Sequence, residues 1–160
     1  DLPLLLAALP ENQSIFRRVS HNPFLVAEGV DIHPESLPID ALRDLAWRVV
    51  EPQYLARLAE LVEKFEGARS KGLSTDELAQ VAKAAEAGRV ATLLIEADRE
   101  VPGRIDAATG QIEFDNLSNP EVDDVLDDLG ALVLKKGGHI VIVPAERMPT
   151  ETGIAAIYRY

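Results

Sequence analysis

The chain has no cysteine. That excludes disulfides, thiolate zinc sites and a cysteine nucleophile, and leaves the fold to rest on packing. Long apolar runs are also missing: the longest, residues 4–9, falls far below the roughly 20 residues that span a bilayer. No membrane crossing is expected. Basic charge is scarce, with 16 Lys+Arg against 27 Asp+Glu and a net charge of −11, which argues against a broad nucleic-acid-binding face. What is present is 160 residues, 47% hydrophobic and 27% charged, the profile of a globular domain, or of one domain plus a fragment of another. The opening DLPLLLAALPEN lacks a basic leader and a small-residue cleavage pattern, so it makes a poor signal peptide and a cytoplasmic setting is expected. The only methionine is Met148, and the chain reads as a piece of something longer.

The charge is unevenly spread. Residues 96–128 carry −9 of the net −11, so this third of the chain would repel phosphate. A local basic contact elsewhere, around Arg17, Arg18 and His21, stays open, and any RNA binding there would be salt-sensitive.

Read along the chain, residues 4–8 form a strand, followed by a short helix containing Ile15, Phe16 and Val19 and an extended piece at 24–27. The run DIHPESLP, 31–38, is a loop, and a domain boundary is expected there. A helix from about Ile39 to Val50 should end at Pro52, because proline removes a donor and clashes with the preceding turn. The next helix is the clearest, with Leu55, Leu58, Val62 and Phe65 at spacings of three and four. Ser74 and Glu77 have the spacing of a capping box, opening a helix with Leu78, Val81, Ala82 and Ala85 on one side and Gly88 closing it. Residues 90–95 form a buried strand. Residues 103–114 read as a hairpin with Ile105 opposite Ile112 or Phe114 and a turn at 107–110. Asn119-Pro120 then starts a helix running through Val125, Leu129 and Val133 to Lys135 and Lys136. Further buried strands are expected at 139–143 and 154–158.

Little here resembles a catalytic constellation. Asp123, Asp124, Asp127 and Asp128 match a DDxxD string that could bridge magnesium, but acids in a helix's first turns also favour its dipole and solubilise the face. His21, His33 and His139 lack ligand spacing, so no metal site and no cofactor are expected. No serine lies in a G-x-S-x-G elbow, and no phosphate-binding glycine loop is present. The segment 144–153 is less generic. It follows a buried strand, where open α/β sheets form ligand sites, and its Glu146, Arg147, Thr150, Glu151 and Thr152 between two prolines could grip a partner.

The stretch AEAGRVATLLIEAD (85–98), the intervening LVLKKGGHIVIVPAERMPTETG and the closing GIAAIYRY (153–160) together resemble the last domain of the archaeal and eukaryotic class 1 peptide chain release factors and Pelota, and more closely their bacterial relatives. The resemblance covers 37–160, and residues 4–30 resemble the closing strand and helix of the preceding middle domain. It implies a three-layer α/β/α sandwich, similar to kink-turn-binding ribosomal proteins, at 37–160, with 1–36 the remnant of a middle domain. It implies a ribosome-associated role in termination, rescue or dormancy, exerted through contacts with a translational GTPase or other protein and local RNA contacts. The Gly-Gly-Gln tripeptide of true release factors and the Asn-Ile-Lys-Ser string are absent, so no catalytic residue carries over and a non-catalytic role is expected. The alternatives are a self-associating module using the Leu55–Phe65 helix and the hairpin, or a magnesium-dependent hydrolase or phosphotransfer enzyme using the Asp123–Asp128 cluster or the 144–153 loop.

Overall fold

The computed structural model describes residues 2–115 and 123–160. By spatial contact the chain divides into two compact units, Asp1–Arg57 and Leu58–Tyr160. That division is one of packing, whereas the boundary expected near Leu37 rests on the two-proline loop 31–38 and on the resemblance.

In the first unit, residues 4–8 and 24–30 run parallel, with isolated bridges at Leu4–Leu25 and Ala7–Val30. Helix α1 (Pro10–Val19) is the crossover that a parallel pair requires. The expected strand at 4–8 is reduced to these bridges for a local reason. Val26 N–H donates to Leu4 O and Val30 N–H to Leu6 O, both at 2.9 Å, so four residues on one side answer two on the other and the ladder is interrupted. Gln13 fills the gap: its buried amide donates to Ala8 O at 3.0 Å, Val30 O at 3.1 Å and Asp31 Oδ1 at 2.7 Å. Glycine is required opposite it, since a Cβ at Gly29 would lie 2.7 Å from Leu6 O and run into the Gln13 amide.

Helix α2 (Ile39–Arg69) is continuous through Pro52, contrary to the break expected there. Proline removes one hydrogen bond and costs about 3 kcal/mol. Strong helix formers on both sides, with Leu45, Ala46 and Arg48 before it and Leu55, Ala56 and Leu58 after it, carry the helix past that loss.

The second unit is built on a four-stranded sheet of order β1-β6-β2-β5, comprising β1 (Ser74–Thr75), β2 (Val90–Glu96), β5 (His139–Val143) and β6 (Ile154–Tyr158). Strands β2 and β5 are parallel, and β6 runs antiparallel to both β1 and β2. The three expected strands therefore lie side by side, with a two-residue edge strand added. Pleat alternation puts Leu93, Ile95, Ile154 and Ala156 on one face, where they share a core with Val81, Ala82 and Ala85 of α3 (Leu78–Glu86) and Leu126, Leu129 and Val133 of α4 (Val125–Lys135). Leu94 and Ala155 alternate to the other face and are just as buried, so the two central strands are covered on both sides, whereas β5, expected to be buried, stands at the edge and leaves His139 and Ile142 exposed. Leu58 and Phe65 of α2 are also buried. The result is an α/β fold with a mixed sheet.

Ser74 does not cap α3. Its hydroxyl donates to Phe65 O at 3.0 Å, and its residue pairs with β6. The helix begins instead after Glu77, whose N–H is held by Thr75 Oγ1. The expected hairpin is present as β3 (Gly103–Ile105) and β4 (Ile112–Phe114), with Ile105 opposite Ile112. Asp106 Oδ1 accepts from the N–H groups of Ala108 and Thr109 to shape its turn. At the hairpin tip Gly110 has φ +67° and lies so close to α3 that a Cβ would meet Ala82 O at 3.0 Å. The start of α4 proposed at Asn119-Pro120 lies outside the described residues, and the helix is described from Val125.

Candidate functional site

Strands β2 and β5 both end at the 144–153 side of the sheet, so the loops after them, 97–102 and 144–153, gather there. The chain leaves β2 through Asp98 at φ +59°, a left-handed conformation that aspartate tolerates better than most residues. Arg99 then turns back across the sheet end. Its Nη1 donates to Glu96 Oε2 and to Glu151 O, each at 3.0 Å, and its side chain packs over Gly153, which sits at φ +80°.

The loop 144–153 begins with a 3-10 turn, Ala145–Arg147, that leaves Glu146 and Arg147 exposed. Thr150 and Thr152 act inward: both hydroxyls donate to Ile154 O, at 2.7 and 3.3 Å. Thr150 and Thr152 therefore hold the loop's own backbone, Glu151 is exposed with its carbonyl gripped by Arg99, and Glu146 and Arg147 present free charge to solvent. The structure brings all five residues onto one loop and divides them into a frame and a surface. Arg99 and Glu96 complete that frame; the i,i+3 spacing of opposite charges at a strand exit was the available signal.

The acidic run is a hydrogen-bonding device among the described residues. Asp123 and Asp124 precede α4, and Asp124 is extended, at φ −98° and ψ 120°. Asp124 Oδ1 accepts from Leu126 N at 3.0 Å, capping the helix, and from Val101 N at 2.8 Å. Asp128 Oδ2 accepts from Ile105 N at 2.8 Å. These carboxylates moor the hairpin limb to α4, which is why they do not line one helix face as the DDxxD reading supposed. No group of three or more His, Asp or Glu that could hold a metal ion occurs among the described residues. The cavity between hairpin and helix, lined by Ile105, Ala107, Asp128, Ala131, Leu132 and Lys135, measures about 210 Å³, below the roughly 300 Å³ at which small-molecule sites begin. On the hairpin's open side, Arg104 pairs with Glu113 at 2.5 Å. That hydrogen bond raises its guanidinium pKa further.

In the first unit, Arg17 and Arg18 are separated by role. Arg17 Nη1 donates to Val26 O at 2.6 Å and is half-buried, while Arg18 is exposed.

A model of bacterial archaeo-eukaryotic release factor family 3 matches residues 1–89. The chain belongs to that family. The match runs across the boundary expected at 36–37. Among solved structures, the C-terminal domain of a peptide chain release factor from Methanosarcina mazei shares the fold, with 20% identity and a TM-score of 0.59 over 76% of this chain and 93% of that domain. An archaeal Pelota, from a model of ribosome-bound archaeal Pelota and ABCE1, aligns with 20% identity and a TM-score of 0.50 over 93% of this chain. The family 3 chain spans 39% of that Pelota's length. Likeness at this identity is one of fold. No curated protein matches the chain. No described helix is long and apolar enough to cross a membrane.

Proposed function

We propose that this chain is a non-catalytic binding domain of a release-factor-like protein, associated with bacterial ribosomes in the cytoplasm and acting in termination, rescue or dormancy. The observation that carries the reading is the match to a release factor family model joined to a fold shared with a release factor's C-terminal domain. Its working surface for a protein partner, a translational GTPase or ribosomal protein, is the exposed part of the 144–153 loop. Glu146, Arg147 and Glu151 make the contact, while Thr150 and Thr152 keep the loop in shape. An RNA contact in the first unit falls to Arg18, because Arg17 is committed to Val26. The test is co-sedimentation with purified bacterial ribosomes. The chain is expected in the ribosomal pellet at low salt and in the supernatant at high salt; a chain that stays in the supernatant at low salt overturns the reading.

Within that reading, residues 1–36 are the closing part of a middle domain and 37–160 the last domain, a three-layer sandwich. Supporting this, a two-strand crossover unit has little to bury: Ile15, Phe16 and Val19 of α1 remain 58%, 39% and 65% exposed. Residues 37–160 produced alone should therefore unfold in one cooperative transition near the midpoint of the whole chain. Loss of cooperativity would place 1–36 within the last domain's own structure.

A further inference from the structure

The other end of the sheet, where β2 and β5 begin and β6 finishes, is assembled from four short segments: 70–73, 87–89, 136–138 and 159–160. Each contributes one cation, Lys71, Arg89, Lys136 and Arg159, and none of the four segments contains an acidic side chain. Backbone bonds draw them together. Tyr158 N–H donates to Leu73 O and Arg159 N–H to Arg89 O, both at 2.9 Å, and Arg159 Nη2 donates to Lys136 O at 3.1 Å. A Cβ at Gly88 would lie 3.9 Å from the Cβ and Cδ of Lys136. All four cations are exposed; none pairs with an acidic side chain among the described residues, and Arg89 Nη2 donates to Tyr160 O at 3.3 Å.

The alternative to a ligand is that these cations answer helix dipoles, since α2, α3 and α4 all end here. That account is too small. Three helix C-termini contribute about one and a half negative charges in all, and Schellman-type bonds through Gly72, Gly88 and Gly137, all at positive φ, already satisfy terminal carbonyls. Glu86 closes α3 just before the 87–89 segment, and Glu77, close enough to act on Tyr158, accepts from Gln80 Nε2. A positive surface is left on a protein of net charge −11. Aromatic groups sit within it: the Arg89 guanidinium lies 5.2 Å from the Tyr158 ring centroid, and Tyr160 is 68% exposed beside the Arg89–Tyr160 O bond. Cations spaced over one face with a free ring among them suit a phosphodiester backbone with a stacked base. An acidic peptide could pair with the cations but carries no base to stack on the ring.

We propose that this cationic end of the sheet, Lys71, Arg89, Lys136, Arg159 and Tyr160, is an RNA-backbone contact surface. The proposal rests on the ribosome reading above and places an RNA contact in the last domain. The test is fluorescence anisotropy of the 160-residue chain with a labelled single-stranded RNA across a salt series. Four phosphate contacts predict a log–log salt slope near −3, about a 50-fold loss of affinity over a fourfold rise in salt. Arg89→Glu with Lys136→Glu should weaken binding more than tenfold and flatten the slope, while Arg57→Glu with Lys64→Glu, an equal charge change elsewhere, should not. Circular dichroism checks that both fold; Arg159 is left intact because it holds the α4 terminus. Equal loss in both double variants, binding unaffected by Arg89→Glu with Lys136→Glu, or a preference for a polyglutamate peptide over RNA overturns the proposal. Ribosome co-sedimentation separates the two claims. Ribosome binding without RNA binding at this surface sinks only the present inference, and RNA binding at this surface without ribosome association sinks only the earlier reading.

Discussion

The two ends of the sheet are made differently. At the cationic end, turns of a few residues are set by backbone: glycines 72, 88 and 137 at positive φ, and a Gly138 with no room for a side chain. At the other end the connections are long, and side chains hold them: Arg99 on Glu96 and Glu151, Asp124 on Val101, Asp128 on Ile105, Thr150 on Ile154. The difference teaches where function has room. An end shaped mainly by backbone leaves most of its side chains to a partner, Arg159 on Lys136 O being the exception, whereas an end shaped by side chains keeps only those outside the frame, here Glu146, Arg147 and Glu151.

Substitutions can break that contrast. The largest effect is expected at Gly138, where a Cβ would lie 2.6 Å from Val133 Cγ1 and 2.8 Å from Val90 O. Gly138→Ala should cost about 3 kcal/mol in denaturant unfolding, against a change within about 0.5 kcal/mol for the neighbouring Lys136→Ala. If Lys136→Ala costs as much, that end is held by side chains after all. At the other end, Asp124→Ala removes a helix cap and orphans the Val101 N–H, and should cost about 2 kcal/mol. Asp123→Ala, whose carboxylate meets only the adjacent Asp124 N–H among the described residues, should stay within about 0.5 kcal/mol. Equal costs would show that charge rather than hydrogen bonding sets this end.

The smallest effect concerns pH. Burial raises the Tyr158 hydroxyl above its usual pKa of 10.0, with Arg89 opposing and Glu77 reinforcing. A group whose folded pKa is raised contributes stability in full below its unfolded pKa and loses it as pH climbs through the folded value. The chain should therefore weaken above about pH 10, and Tyr158→Phe should make the alkaline limb shallower in thermal melts. An unchanged limb would assign the decline to other groups.

Much of the second unit was legible because its signals are local. The near-continuous apolar run at 90–95 marks a strand covered on both faces, that at 139–143 marks a strand but not its place at the sheet edge with His139 and Ile142 exposed, and the turn chemistry of Asp106 and Gly110 marks the hairpin. What failed was also local. Pro52 reads as a stop because proline is the strongest local helix breaker, although the helix formers on either side of it outweigh its lost bond. Ser74 reads as a cap because the competing acceptor, Phe65 O, is nine residues away. The acid run reads as one helix face because its backbone partners, Val101 and Ile105, lie before it in the chain. Of the loop site, position and composition were readable, but the division into frame and surface required Arg99, which belongs to another strand's exit. The cationic end was invisible, its four charges being scattered from 71 to 159 and joined only by the strand order.

Hydrogen exchange of the chain, free and bound to bacterial ribosomes, tests most directly the claim that the backbone-shaped end contacts ribosomal RNA. The account predicts slowed exchange on binding at 70–73, 87–89 and 136–138, with the hairpin unchanged. Protection confined to the hairpin or to residues 1–36, with the cationic end exchanging as in the free chain, would contradict it.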